Sequence, residues 1–279
     1  MNATLTRPVI GQYKTDEKLL EYKVLCKKYG EKNLSSAIIY TGLSPYNGME
    51  IYAQISGMIA LSQNKKTGSS AQLTILVNKM HPNEALKTGA DVAICGQCPL
   101  RGHYSETLGK MVDRLCYVQV NKSPSSKHRA KEKGTTITLT PHEAGVILYA
   151  NGKRTVRLGE YGDPAMIPVE IYDELFMASE GKWLGYTHQW KESFFDSAIF
   201  NYTMASLDND MTREELEQAH GDTARSYRVT ESYDDIRANE IACPSKDKVT
   251  GIVVLQCNDC NLCAGAGLNA KNIVIVKNT

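Results

Sequence analysis

Apolar and polar positions alternate along this chain in two different rhythms. Between residues 15 and 29, Leu19, Leu20, Val24 and Leu25 recur at i, i+1, i+5 and i+6 among charged residues. That spacing predicts an amphipathic helix with those leucines and the valine on its inner face, and Gly30 ends it. Strand-like runs follow at 37–40, 51–55 and 73–77. The first two flank Ser44-Pro-Tyr-Asn-Gly48, whose Asn-Gly pair signals a hairpin. From residue 140 short strands and short helices take turns. Thr140-Pro-His-Glu143 and Thr212-Arg-Glu-Glu215 read as capping boxes opening two helices. A third helix is expected over 168–179. Strands are expected at 154–158, 183–187, 201–205, 226–230, 240–243, 252–255 and 273–276.

These elements predict an α/β protein in two parts. Residues 1–120 form a small helix-plus-hairpin unit. Residues 135–279 form a partial (β/α) barrel, because strand–helix alternation favours parallel pairing and roughly five or six units fall short of a full eight-fold barrel. Between them, residues 121–134 are polar and basic without large apolar side chains, which reads as a linker or arm. Its Lys127, Arg129, Lys131 and Lys133 are spaced to contact phosphates.

Composition changes this picture little. The chain has 279 residues, 42% hydrophobic and 23% charged, with a formal net charge of +1. No global charge attracts it to nucleic acid or to an anionic membrane. No apolar run approaches the roughly 18 to 20 residues that span a bilayer, and the first residues lack the apolar stretch of a secretory signal. A cytoplasmic protein with no membrane partner is expected.

The cysteines change it a great deal. Seven of the eight fall into two sets. Cys257, Cys260 and Cys263 follow C-x2-C-x2-C spacing, with Cys243-Pro244 just upstream. Three closely spaced thiolates and a remote Cys-Pro match bacterial-type ferredoxin ligation, so a [4Fe–4S] cluster is expected, with a four-cysteine zinc site as the competing reading. The upstream set is Cys95, Cys98 and Cys116. It either keeps an open metal position or takes a fourth ligand, for which His103 is the nearest non-cysteine candidate. With no export signal in view, metal binding is preferred to disulfides, and Cys26 reads as a small buried hydrophobe.

Polar residues also gather at predicted strand ends, where βα architectures place function. Asp163, His188 and Arg228 are the candidate catalytic or substrate-binding residues. In the loop 62–70, Lys65, Lys66 and Thr67 are candidate phosphate contacts, although the glycine pattern of a phosphate-binding loop is missing and a plain surface loop is the simpler reading. No serine-hydrolase, zincin or dinucleotide motif is present.

Several stretches together resemble a family of uncharacterised phage-encoded cysteine-rich proteins. They are Ser62-x-Asn64-x-Lys66-Thr67-Gly68, Cys95-Gly-x-Cys98-Pro99-x-Arg101, Cys116-Tyr117-Val118, Tyr161-Gly-Asp-Pro164, Gly185-Tyr-Thr-His-Gln-Trp190 and Cys243-Pro244 with the final triplet. More distantly, the chain is similar to phage proteins related to radical-SAM barrels. That likeness concerns the fold, and the C-x3-C-x2-C triplet of common radical-SAM enzymes is absent, so SAM as a cofactor has no motif behind it. The first resemblance implies a phage or prophage protein working in a bacterial cytoplasm. The expectation is an iron–sulfur enzyme with one or two clusters, acting on a nucleotide or nucleic acid. The alternative is a non-enzymatic, metal-stapled DNA-binding protein.

Overall fold

The computed structural model describes residues 15–59, 68–208, 211–222, 224–245, 252–267 and 270–277. The chain starts with α1 (Thr15–Tyr29), then β1 (Ser36–Leu43), β2 (Glu50–Ser56) and β3 (Ala71–Val77). α2 (Pro82–Thr88) and α3 (Val92–Cys95) lead to the hairpin β4 (His103–Ser105) and β5 (Lys110–Val112). Next come α4 (Ser123–Glu132), β6 (Ile137–Thr138), α5 (Pro141–Ala150), β7 (Val156–Arg157) and α6 (Val169–Ser179). The last part holds β8 (Trp183–Leu184), β9 (Tyr186–Thr187), β10 (Met204–Leu207), α7 (Arg213–His220), β11 (Ser226–Thr230), β12 (Glu240–Ala242), α8 (Cys257–Cys260) and β13 (Asn272–Val276).

The result is a mixed α/β structure. The first sheet runs β6-β1-β2-β3-β7-β8, antiparallel through β1, β2 and β3 and parallel elsewhere. It takes strands from both sides of segment 121–134. The second sheet runs β12-β13-β11-β10-β9, and every pairing in it is parallel. β8 and β9 belong to different sheets and are separated only by Gly185, so the two sheets join end to end along one extended segment. Gly185 serves both sides of that joint: its N–H reaches the Cys263 carbonyl at 3.2 Å and its carbonyl accepts from Met204 N at 2.9 Å.

Local signals set many of these elements. Both capping boxes form, with the Thr140 and Thr212 hydroxyls accepting from Glu143 N and Glu215 N, each at 3.1 Å. The Ser44–Met49 turn closes the expected hairpin of β1 and β2. α5 and α6 pack closely because α5 carries Gly145. A side chain there would run into the Leu175 carbonyl and Ala178, which offsets the roughly 1 kcal/mol that a helix-interior glycine costs. The main core lies between the first sheet and α5 and α6, with Ile51, Ile55, Leu73, Ile75, Ile147, Tyr172 and Leu175 fully buried.

Tertiary contacts redirected three local expectations. On α1 only Leu25 of the predicted face is buried, while Leu20 and Val24 are largely exposed. The helix instead turns in the face bearing Lys18, whose ammonium donates to the Ala178 carbonyl at 2.7 Å and meets Glu180 at 3.0 Å. A cation at the C-terminal end of α6 is favoured by the helix dipole. Segment 121–134 is a helix rather than an arm, and two of its basic residues, Lys127 and His128, point inward. Lys127 is held by Glu160, and also by Thr74 Oγ1 at 2.7 Å and Ser123 Oγ at 3.0 Å. Of the four basic residues expected to contact phosphates, Lys127 is therefore taken up inside the fold, while Arg129 and Lys133 remain exposed on or beside the helix. Residues 252–255 make no strand.

Burial opposes the charge on Glu160, but Lys127 and Thr74 hold its carboxyl below the usual range. A depressed carboxylate contributes stability above its unfolded pKa, near pH 4.3, and loses it as pH falls through the folded value. Lys127→Ala leaves Glu160 buried without its cation and is expected to lose about 3 kcal/mol in urea unfolding at neutral pH. Glu160→Gln is expected to flatten the acid limb of the stability curve. Wild-type-like curves for both variants would show that the pair is dispensable.

Candidate metal centres

All eight cysteines are thiols outside any disulfide. The C-terminal set is assembled from two separate segments. Cys243 follows β12, and its N–H donates to the Val274 carbonyl of β13 at 2.7 Å. Cys257 and Cys260 open and close α8, so their i, i+3 spacing puts both on one side of a single helical turn. Cys263 comes just after, pinned through its carbonyl to Gly185. Further ties fix this loop: Trp183 Nε1 donates to the Ala264 carbonyl at 2.9 Å and Arg225 Nη1 to the Gly265 carbonyl at 3.1 Å.

All four cysteines line one cavity of about 30 Å³, walled by Leu184, Tyr186, Tyr227, Ile273 and Ile275. Tyr186 is hydrogen-bonded to Cys263. Burial pushes the Cys263 thiol up to about 12, and Cys243, Cys257 and Cys260 add to that rise. Burial raises Cys260 as well. Four thiols gathered at one cavity are a donor set that a cation makes favourable, because metal binding displaces their protons.

The upstream set forms where three segments meet. Cys95 ends α3, Cys98 precedes a tight turn at Pro99–Arg101, and Cys116 N donates to the Leu100 carbonyl at 2.7 Å. Burial, then the nearby Asp91, Cys98, Cys116 and Asp163, raises the Cys95 thiol well above its ordinary range. Arg101 secures the turn through Asp91 Oδ1 at 2.8 Å and the Gly89 carbonyl at 2.5 Å. Arg114 clamps the Cys116 and Val118 carbonyls at 2.7 and 2.9 Å. Tyr161 is almost fully buried, its hydroxyl has no hydrogen-bond partner, and its closest charged neighbours include Cys95, Asp91 and Cys116.

Asp163 and His188, predicted together, are together. The buried Asp163 carboxylate accepts from Ala165 N at 3.0 Å, Thr187 Oγ1 at 2.8 Å, His188 N at 2.7 Å and Gln189 Nε2 at 3.4 Å, while its own N–H donates to the Ile94 carbonyl at 2.7 Å. It caps the turn at Pro164–Met166, as Asp-Pro suggested, and also holds the end of β9 against the Cys95 loop. Both of its oxygens accept hydrogen bonds within the fold.

The His188 ring meets Asp208 Oδ2 through Nδ1 at 2.5 Å, and Cys98 lies close enough to act on it. Burial disfavours its charged form, but Asp208 and Cys98 outweigh burial and raise it well above the usual histidine range. Arg228 lies elsewhere. It pairs through Nε and Nη2 with both Glu240 oxygens, each at 2.7 Å, and donates to the Asp235 carbonyl. Its strand neighbour Tyr227 lines the C-terminal cavity, and by strand alternation Arg228 faces the other way.

His103, expected as the fourth ligand, sits two-thirds exposed on the β4–β5 hairpin with its ring 3.6 Å from Asp113. Lys65, Lys66 and Thr67 lie outside the described residues. Asp208, Gln189 and Tyr161 were missed as site residues. Asp208 follows β10 at its C-terminal end, the same signal that singled out His188.

The end of β9 carries a contact to each cysteine set. Tyr186 touches Cys263 and His188 touches Cys98, and two residues along a strand span only about 7 Å. Tyr227 of the C-terminal cavity has Tyr117, the residue after Cys116, and Asp208 among its charged neighbours. Among the described residues, no group of three or more His, Cys, Asp or Glu side chains already stands close enough to hold a metal ion, so a metal here would have to draw the sulfurs in. No helix among the described residues is long and apolar enough to cross a membrane. No family model matches this chain, and no curated protein or solved structure matches it significantly.

Gly96 sits between the upstream cysteines at φ 50° and ψ −135°, a region that is essentially glycine's alone, and a Cβ there would overlap Gln189 Oε1. Gly96→Ala is expected to displace the Cys95–Cys98 loop and lower metal content, measured per chain, while far-UV circular dichroism stays near wild type. Arg228→Met should do the opposite. It leaves Glu240, whose side chain is 4% exposed, without its cation, so about 3 kcal/mol of stability is lost with metal content unchanged.

Proposed function

We propose that this chain is an iron–sulfur protein with two adjacent centres. In this reading the C-terminal set Cys243, Cys257, Cys260 and Cys263 holds a [4Fe–4S] cluster, and Cys95, Cys98 and Cys116 contribute to a second centre. One observation carries the reading: four cysteines brought from two segments line a single small, mainly apolar cavity. The choice of a cluster over one zinc ion rests on the C-x2-C-x2-C spacing with a remote Cys-Pro. Apolar walls and limited solvent access are among the features by which proteins tune cluster potential. When bound, such clusters supply one-electron chemistry.

The proposed role is an enzyme of phage type that uses this chemistry on a polar substrate, a nucleotide or nucleic acid being the class expected from the sequence. The joined sheets are read as a partial (β/α) barrel, with both centres at the ends of its parallel strands. In the DNA-binding alternative, Lys127 is taken up by Glu160, while Arg129 and Lys133 stay exposed.

Protein purified without oxygen is expected to be brown, to contain iron and acid-labile sulfide, and to show a broad visible absorption that dithionite bleaches. Cys260→Ser should remove the iron of one centre and leave that of the other. A colourless protein carrying stoichiometric zinc would overturn the iron–sulfur reading.

A further inference from the structure

We propose that His188 is the fourth protein ligand of the upstream centre, completing Cys95, Cys98 and Cys116, with Asp208 orienting its ring. This rests on the reading that the upstream cysteines bind metal, but not on that metal being iron.

One observation points to His188, and a second points to a metal at the same cysteines. The first is directional. His188 Nδ1 is committed to Asp208 Oδ2 at 2.5 Å, which leaves Nε2 as the only other ring nitrogen. The ring lies beside Cys98. A carboxylate behind a histidine is the usual way proteins fix the tautomer and aim of a metal-bound imidazole. The backbone under the ring is fixed too, since His188 N donates to Asp163 Oδ2, and Gln189 reaches the Cys95 carbonyl at 2.8 Å and accepts from Gln97 N at 3.1 Å. His188 and the Cys95–Cys98 loop are therefore held in one frame.

The second observation is an unmet hydrogen bond. The Tyr161 hydroxyl is buried beside Cys95 and Cys116 with no partner, although buried polar groups are almost always paired. A thiolate drawn onto a metal, or a cluster sulfide, is the acceptor that this position lacks. His103 offers nothing comparable: it is exposed, and its ring lies toward the exposed Asp113.

The consequence is chemical. With four protein ligands the upstream centre leaves no coordination position for a substrate. It then serves as an electron carrier or staple beside the C-terminal centre, and the substrate binds without ligating the metal there.

The test measures metal per chain and resistance to a chelator in anaerobically purified protein. His188→Ala is expected to lose the metal of one centre while keeping its circular dichroism spectrum, and free imidazole should restore that metal. Asp208→Asn preserves the side-chain shape and should weaken retention 10- to 100-fold. His103→Ala should match wild type. Wild-type stoichiometry and chelator resistance in both His188→Ala and Asp208→Asn would overturn the proposal and leave the upstream metal with an open position. Metal loss in folded His188→Ala that imidazole does not reverse would also overturn it, by making His188 structural. If His188→Ala does not fold, Asp208→Asn decides alone. Zinc in place of iron defeats the iron–sulfur reading without touching this one.

Discussion

A single buried carboxylate organises the centre of this molecule. Asp163 is 5% exposed, and a charge so placed is tolerable only when donors surround it. Four donors do so, from the turn after it and from the end of β9, while its own amide holds the Ile94 carbonyl next to Cys95. One side chain thus ties the cysteine loop of the first half to the strand end that presents His188. If that carboxylate is removed, its donors are left unpaired and the upstream cysteines lose their alignment with the ring.

The same economy appears in the joint between the sheets. β8 and β9 are two-residue strands in line with one another, one completing the first sheet and one beginning the second. Gly185 between them bonds to the Cys263 loop on one side and to Met204 on the other. Tyr186 and His188 then reach one cysteine set each. One extended segment thus carries a contact to each cysteine set.

Elements governed by neighbouring residues were legible in the sequence. The two capping boxes, the Asn47-Gly48 hairpin and the strand–helix alternation after residue 140 all depend on groups a few positions apart, and all appear in the structure. The ion-pairing of Lys127 and Lys18 was not legible. Both read as solvated lysines, and both turn inward to acceptors more than thirty positions away. Arg228 shows the same limit from the other direction. A basic residue on a strand looks available, but Glu240 on β12 and the Asp235 carbonyl hold it.

By itself the sequence marked the two cysteine sets as candidate ligands, because two-residue spacing between thiols is a local property of the chain. It also determined where α5 and α7 begin, since capping is settled within four residues. Only the tertiary structure decided which histidine stands with the upstream cysteines. His103 is nearer along the chain, but it lies on an exposed hairpin. His188 is brought to Cys98 by parallel strands, by the Asp163 carboxylate and by Asp208, contacts that span about ninety residues of chain and that no local pattern records.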